Sequence, residues 1–123
     1  MKTLIIIGGF VWLGFFVFHL LFWKLFDWKQ DLRSLTPLNK SVMQVLNLSL
    51  MVVFLVFSYV SIFHADEILA TSLGKSILVG IALFGLLRAI QQIVFFDLSV
   101  LPSKIFLFVI LGATTLYLIP LFG

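Results

Sequence analysis

Four long apolar stretches dominate the pattern of hydrophobic and polar positions along the chain. They cover approximately Leu4–Trp23, Val42–Phe63, Ile77–Phe96 and Ile105–Phe122. Each holds close to the ~20 residues that a helix needs to cross a ~30 Å hydrocarbon layer. The stretches lack the polar–apolar alternation that is typical of barrel strands. The pattern therefore predicts an all-α integral membrane protein, built as a bundle of four transmembrane helices.

The composition supports this prediction and excludes other classes of protein. Of the 123 residues, 63% are hydrophobic and 11% are charged, whereas a soluble domain carries about 25% charged residues. The positive charges lie in short connections rather than along one basic face, so we do not expect a nucleic-acid partner. No connection is long enough for a soluble domain, and we predict a single transmembrane domain over residues 1–123.

Several residues at the ends of the stretches are typical of helix starts. Thr36 followed by Pro37 predicts an N-cap and a first helical residue, so the second helix begins before its apolar part. Pro102 is expected to open the fourth helix in the same way. The chain start resembles a secretory signal peptide, but its apolar run is too long and has no cleavage site. We therefore expect a retained first helix.

The distribution of basic residues predicts the orientation of the chain. With four spans, both termini lie on one side of the membrane, and the first and third connections lie on the other. Five basic residues flank or occupy those two connections: Lys24, Lys29, Arg33, Lys40 and Lys104. Only Lys2 and Lys75 lie on the terminal side. The positive-inside bias therefore predicts cytoplasmic connections and non-cytoplasmic termini, in what we expect to be a bacterial inner membrane.

The aromatic residues near the span ends fit this orientation. Trp23 and Trp28 are predicted at the inner interface, and Tyr59 and Tyr117 near the outer one. Trp12 lies near the middle of the first span, where an aromatic belt does not explain it.

The polar residues inside the spans cluster at one depth. Counting 1.5 Å per residue from the inner ends places His19, Asn47 and Gln92 roughly 6–7 Å deep, and Arg88 roughly 12 Å deep. Gln91 lies at a similar or shallower level. Because these residues come from three helices and share the cytoplasmic half, we predict a ligand-binding site formed by His19, Asn47, Arg88, Gln91 and Gln92.

Helical spacing predicts which face of each span points inward. The second-span stripe consists of Gln44, Asn47, Met51, Phe54, Ser58 and Ser61. The first-span stripe consists of Gly8, Trp12, Phe15, His19 and Trp23. The third-span stripe consists of Ile81, Phe84 or Gly85, Arg88, and Gln91 or Gln92. On that span two pairs of small residues, Gly85 with Ala89 and Ser76 with Gly80, predict close helix approach.

Arg88 and His19 each have a functional and a structural interpretation. An arginine inside hydrocarbon costs several kcal/mol unless it finds water, an anion or hydrogen-bond acceptors. Arg88 is therefore either the counter-charge of an anionic ligand, or a side chain that extends to the headgroups or bonds to neighbouring amides. His19 is a candidate proton relay, haem ligand or quinone partner, or else a neutral imidazole bonded to a neighbouring helix.

Other kinds of chemistry lack the residues they need. The absence of cysteine excludes disulfides, thiolate catalysis and iron–sulfur clusters. No Ser-His-Asp arrangement is plausible, and no second histidine or buried carboxylate is expected at the depth of His19. We predict no catalytic residues and no metal ligands, and the sequence indicates no particular cofactor.

Three functional hypotheses remain open. The first is the binding or transport of a small anionic or amphipathic molecule by the polar cluster. The second is an accessory or assembly subunit of a larger membrane complex, in which the cluster only joins helices. The third is a redox component that uses the cluster for a quinone or haem. In each case we expect the chain to contact the lipid bilayer. We also expect it to form a homo-oligomer or to belong to a larger membrane complex.

Overall fold

The computed structural model describes residues 2–25 and 28–123, and the described residues are helical, with no strand among them. The helices are α1 (Lys2–Leu20), α2 (Phe22–Leu25), α3 (Trp28–Asp31), a 3-10 turn (Leu32–Ser34), α4 (Pro37–Phe63), α5 (Ala65–Ala70), α6 (Ser72–Phe95) and α7 (Leu101–Phe122). Four of these, α1, α4, α6 and α7, are long and apolar enough to cross a membrane. The predicted all-α architecture with four candidate spans is confirmed, and it indicates a multi-pass membrane protein.

The long helices begin at the residues that the sequence predicts. Thr36 Oγ1 accepts a hydrogen bond from the Asn39 backbone N–H at 3.3 Å, and Pro37 is the first residue of α4. Pro102 lies in the first turn of α7. A further cap occurs at α6, where Thr71 Oγ1 accepts from the Gly74 N–H at 2.9 Å. These caps satisfy backbone donors that have no partner within the helix.

The first span ends earlier than predicted, at Leu20 instead of Trp23. The Leu21 N–H donates to the carbonyls of both Val17 and Phe18, at 3.2 and 3.1 Å. This shared donor tightens the last turn and separates α1 from α2. In the following connection Trp28 and Leu32 are buried, and the Trp28 ring lies 5.4 Å from that of Phe22. The ring of Trp28 is thus packed against protein, its predicted depth at the inner interface stays a prediction, and the side chain of Trp23 lies outside the described part of the chain.

The polar segment after the second span forms a short helix that the sequence analysis missed. In α5 the side chains of Ala65 and Ile68 are buried, while Asp66 and Glu67 in its first turn are exposed. The Lys2 ammonium lies 3.0 Å from the Asp66 carboxylate. This ion pair joins the start of α1 to α5.

The long helices pack in the order α4, α1, α7, α6. Two adjacent glycines allow α1 to approach both of its neighbours: a Cβ at Gly8 would overlap the Tyr117 ring of α7, and a Cβ at Gly9 would overlap Ile62 and Ser61 of α4. Between α6 and α7 the same role belongs to Gly85, where a Cβ would overlap Thr114 Oγ1. The predicted close approach at Gly85 is thus confirmed.

Trp12 lies at the centre of an aromatic core. Its ring centroid lies 5.4 Å from that of Phe15, 5.5 Å from Phe54, 5.3 Å from Phe57 and 5.8 Å from Phe84. These rings come from α1, α4 and α6. Aromatic packing in the core therefore accounts for the mid-span position of Trp12.

Tyr117 is buried in the bundle, so its ring packs against protein instead of facing lipid, while its predicted depth near the outer interface stays a prediction. Its side chain is 0% exposed, and its hydroxyl lies 2.7 Å from that of Ser61. Burial of a tyrosine requires such a partner, because an unpaired hydroxyl in apolar surroundings is costly. The hydrogen bond connects α7 to α4. Tyr59, in contrast, is exposed as expected.

The predicted inward faces are largely confirmed. Five of the six residues in the α4 stripe are buried, and Gln44 is half-buried. On α6, Ile81, Gly85, Ala89 and Gln92 are buried. The second small pair on α6 is wrong as a packing site, because Ser76 and Gly80 are exposed and a Cβ at Gly80 would meet open space.

Candidate functional site

Arg88 extends along α6 towards the carboxyl end of that helix. Its guanidinium carbon lies 5.4 Å from the ring centroid of Phe96 and 5.8 Å from that of Phe106. Both distances lie within the range of cation–π attraction. Phe96 follows the last residue of α6, and Phe106 lies one to two turns into α7. The guanidinium is therefore placed between the ends of two helices.

The guanidinium is half-buried, and no described residue supplies an anionic partner to it. Arg88 Nη1 is buried and has no hydrogen-bond partner among the described residues. The ion pairs within residues 2–25 and 28–123 do not include Arg88. A buried donor without a partner costs roughly 1–3 kcal/mol, and a charged donor costs more. Aromatic rings offset part of this cost, but they do not replace a hydrogen-bond acceptor.

A small cavity at the centre of the bundle lies beside Arg88. Its volume is about 10 Å³, which is about the space that one water molecule needs. The residues that line it come from all four long helices: Trp12, Phe15 and His19 of α1, Phe54 of α4, Arg88 of α6, and Phe106 and Ile110 of α7. His19 and Arg88 are the titratable residues of this lining, and the rest of it is aromatic or aliphatic.

His19 is held by its own helix and by aromatic neighbours. Its Nδ1 donates to the Phe15 carbonyl at 2.9 Å, which assigns the proton of the neutral ring to Nδ1 and leaves Nε2 as an acceptor. The ring stacks on Phe22 at 4.3 Å and meets the ring of Phe54 edge-on at 4.9 Å. His64 lies between α4 and α5, at the opposite end of the bundle. The two histidines are thus not placed to share one ligand.

Asn47 and Gln92 bond to backbone carbonyls of neighbouring helices. The Asn47 side-chain amide donates to the His19 carbonyl at 3.2 Å, one of the last carbonyls of α1, which have no partner within that helix. The Gln92 amide donates to the Ser103 carbonyl at 3.3 Å, which joins the end of α6 to the start of α7. Their carbonyl oxygens, Asn47 Oδ1 and Gln92 Oε1, are buried without a partner among the described residues.

The structure therefore brings only part of the predicted cluster into one site. His19 and Arg88 line the cavity together, and Asn47 contacts the backbone of His19. Gln92 is buried between α6 and α7 and does not line the cavity, and Gln91 is exposed. Residues at the same depth in the bundle therefore need not point towards the same cavity.

The aromatic residues that contact the guanidinium were not predicted from the sequence. Phe96 and Phe106 lie near the predicted span ends, and neither belonged to a predicted stripe. Fifteen phenylalanines in the chain give no signal that selects these two. The rings are identified only by the direction in which Arg88 extends.

Among the described residues, exposed basic side chains outnumber the exposed acidic ones, Asp31 and Asp97, at this end of the bundle. The side chains of Lys24, Lys29, Arg33, Lys40 and Lys104 are all exposed. At the opposite end, Lys2 is paired with Asp66 at 3.0 Å. The excess of exposed positive charge therefore favours the approach of an anion to the end that holds Arg88.

The acidic residues and histidines do not form a metal centre in the part of the chain that the structure describes. Within residues 2–25 and 28–123, no group of three or more such residues lies close enough to hold an ion.

Comparisons with known proteins gave no match, whether to family models, to curated proteins or to solved structures. The function of this site is therefore inferred from its own geometry.

Proposed function

We propose that the chain binds an amphipathic anion whose charged group pairs with Arg88. The observation that carries this proposal is the buried Arg88 Nη1, which finds no hydrogen-bond acceptor among residues 2–25 and 28–123, on a side chain that lines a largely aromatic cavity. A carboxylate or phosphate oxygen would supply that acceptor, and the planar guanidinium suits both groups because it offers two parallel N–H donors.

The electrostatic surroundings favour an anion over a neutral ligand. The rings of Phe96 and Phe106 hold the cation in place without neutralising it. The amino end of α7 carries a partial positive charge close to the same position. The exposed lysines at this end add to the attraction. His19 can accept a hydrogen bond at Nε2 from a protonated or hydroxylated ligand.

The size of the cavity limits which part of a ligand can enter it. A volume of about 10 Å³ holds about one water molecule, so only the charged group of a ligand approaches Arg88. The remainder of the molecule lies outside the cavity, against apolar side chains or lipid. This requirement favours an amphipathic molecule over a compact anion.

The test is the binding of radiolabelled oleate, used as the probe, to the purified protein in a neutral detergent. We expect Arg88→Gln to weaken binding by at least about tenfold, since a charge-assisted hydrogen bond is lost. Arg88→Lys keeps the charge but loses the bidentate geometry, and we expect an intermediate affinity. Lys104→Gln is the matched comparison, because it removes an exposed positive charge at the same end and leaves the cavity intact, and we expect it to weaken binding much less than Arg88→Gln does. Unchanged oleate binding in a folded Arg88→Gln protein would contradict the proposal.

A second candidate function is that of an accessory subunit, as part of a homo-oligomer or a larger membrane complex. The hydrogen bonds from Asn47 to the His19 carbonyl and from Gln92 to the Ser103 carbonyl support it, because they use two predicted site residues to join helices. Under this alternative, mild purification recovers a stoichiometric partner. Substitution of Arg88 then changes complex stability rather than ligand content.

The proposal includes an orientation in a bacterial inner membrane, with both termini on the non-cytoplasmic side. The five exposed basic residues at the opposite end support it. The chain has no cysteine, so single cysteines at positions 2 and 29 report accessibility without background. In intact cells we expect an impermeant thiol reagent to label position 2 and not position 29. The reverse pattern would overturn this orientation.

A further inference from the structure

The four long helices do not close the bundle equally tightly. The backbones of α4 and α6 lie farther apart than those of the other neighbouring helices. Side chains bridge this boundary: the Phe84 ring lies 5.3 Å from that of Phe57 and 6.1 Å from that of Phe54. We call this boundary the α4–α6 seam. Phe57 and Phe84 are only half-buried, so the seam is reached from the lipid-facing side of the protein.

Arg88 lies at one end of this seam. Phe84 and Arg88 are four residues apart on α6 and therefore occupy the same face, one turn from each other. The guanidinium reaches further, to the level of Phe96. Along the seam, a cation near the membrane surface is thus followed by aromatic rings towards the membrane centre. A lipid in the adjacent leaflet has the same order, with its charged group outside and its chain inside.

We propose that the α4–α6 seam holds the apolar chain of a long-chain anion that enters sideways from the bilayer, with its carboxylate or phosphate on Arg88. This inference rests on the proposed function and assigns the ligand to a class, lipid-soluble rather than water-soluble anions. Lateral entry avoids transfer of the chain through water, and it leaves only the charged group to be accommodated beside the small cavity. The Phe84 ring bridges the seam in the present structure.

Trp12 provides an internal reporter for this arrangement. Its ring lies 5.8 Å from the Phe84 ring and also lines the cavity beside Arg88. The chain contains 3 tryptophans, so the double substitution Trp23→Phe and Trp28→Phe leaves Trp12 as the only indole. Bromine atoms quench indole fluorescence on contact. A brominated chain in the seam therefore quenches Trp12, which is 2% exposed and shielded from bulk lipid.

The experiment compares three probes on this single-tryptophan protein. Stearate brominated at mid-chain tests a free long-chain carboxylate, phosphatidylglycerol brominated at mid-chain tests an anionic headgroup, and dibromopropionate tests a short, water-soluble anion. We expect one or both long-chain probes to quench Trp12 saturably, and dibromopropionate to have no effect. Brominated phosphatidylcholine serves as the zwitterionic control. Preference for one long-chain probe identifies the source of the anion.

Variants connect the quenching to the seam. Arg88→Gln is expected to raise the half-saturating probe concentration at least about tenfold. Phe84→Ala removes the ring that bridges the seam, and we expect it to change the maximal quenching of Trp12. Phe84→Leu keeps an apolar side chain there, and we expect a smaller change. Phe108→Ala removes a ring that is 73% exposed on α7, and we expect it to leave quenching unchanged.

The outcomes separate this inference from the proposed function. If oleate binding depends on Arg88 but no long-chain probe quenches Trp12, the proposed function holds and the seam assignment is overturned. Equal binding of dibromopropionate and brominated stearate also overturns the seam assignment. If no anion binds in an Arg88-dependent way, the proposed function itself fails.

Discussion

At the scale of single residues, two glycines of α6 show that the effect of an added side chain depends on what surrounds it. A Cβ at Gly85 would overlap Thr114 Oγ1, whereas a Cβ at Gly80 would meet open space. We expect Gly85→Ala to lower the thermal unfolding midpoint in detergent, because α6 and α7 must separate. Gly80→Ala is the matched control and is expected to raise the midpoint or leave it unchanged, since alanine favours a helix by up to about 1 kcal/mol over glycine. Equal effects of the two changes would contradict the packing of α6 on α7.

The buried hydroxyl pair of Ser61 and Tyr117 offers a second test at this scale. Tyr117→Phe leaves the Ser61 hydroxyl unpaired at a position that is 0% exposed, and we expect a loss of about 1 kcal/mol in the free energy of unfolding. Adding Ser61→Ala is expected to recover part of that loss, because no polar group then remains unpaired. Tyr59→Phe, on an exposed ring, is the control. Additive effects of Ser61→Ala and Tyr117→Phe would show that the hydroxyls do not interact.

The sequence was informative about which face of a helix is buried and less informative about what that face meets. The stripe from Asn47 to Ser61 follows from helical spacing alone, and it is buried as predicted. Tyr117 was assigned to the membrane interface because tyrosine is common there. Its actual partner is 56 residues away in sequence, and no local pattern identifies such a contact.

At the scale of elements, helix starts were predictable because capping is local chemistry. Thr36 with Pro37 and Pro102 act within one turn of their own helices. The end of α1 was not predictable from hydrophobicity, because the apolar run continues through Leu21 and Phe22. Helix α5 was missed because it is only six residues long. The acidic residues in its first turn were the available signal, since they favour a helix start.

The turn between α6 and α7 gives a prediction about pH. The Asp97 carboxylate accepts hydrogen bonds from the Ser99 backbone N–H at 2.9 Å and the Ser99 hydroxyl at 2.7 Å. These bonds hold the pKa of Asp97 below its ordinary value, and the bond from the Ser99 hydroxyl has the larger effect. The turn's contribution to stability is therefore fully present above the unfolded-state pKa, and it is lost as the pH falls through the lowered folded-state pKa.

Ser99→Ala tests this turn directly. It removes the hydroxyl donor and keeps the backbone donor, so we expect the pKa of Asp97 to rise part of the way towards its ordinary value. Carboxyl carbon chemical shifts in an NMR titration measure this change. A pKa of Asp97 that is the same in both proteins would show that the hydroxyl bond is absent in solution.

At the scale of the whole molecule, the sequence predicted the number of spans but not their arrangement. Helical spacing assigns an inward face to each span, yet it does not say which helix that face contacts. The order α4, α1, α7, α6 depends on pairs such as Gly8 with Tyr117. For the same reason the predicted site was too large: Gln91 and Gln92 share a depth with His19, but they point in other directions around the bundle.

Solid-state NMR can detect an anion that lies against the Arg88 guanidinium. The chain has two arginines, Arg33 and Arg88, so Arg33→Lys leaves Arg88 as the only guanidinium that incorporates ¹⁵N-arginine. In proteoliposomes with carboxyl-¹³C oleate, dipolar recoupling measures the distance from the arginine Nη atoms to the carboxyl carbon. We expect a distance of roughly 4 Å, as for a bidentate pair. No measurable coupling at saturating oleate, in a protein that remains folded, would contradict it.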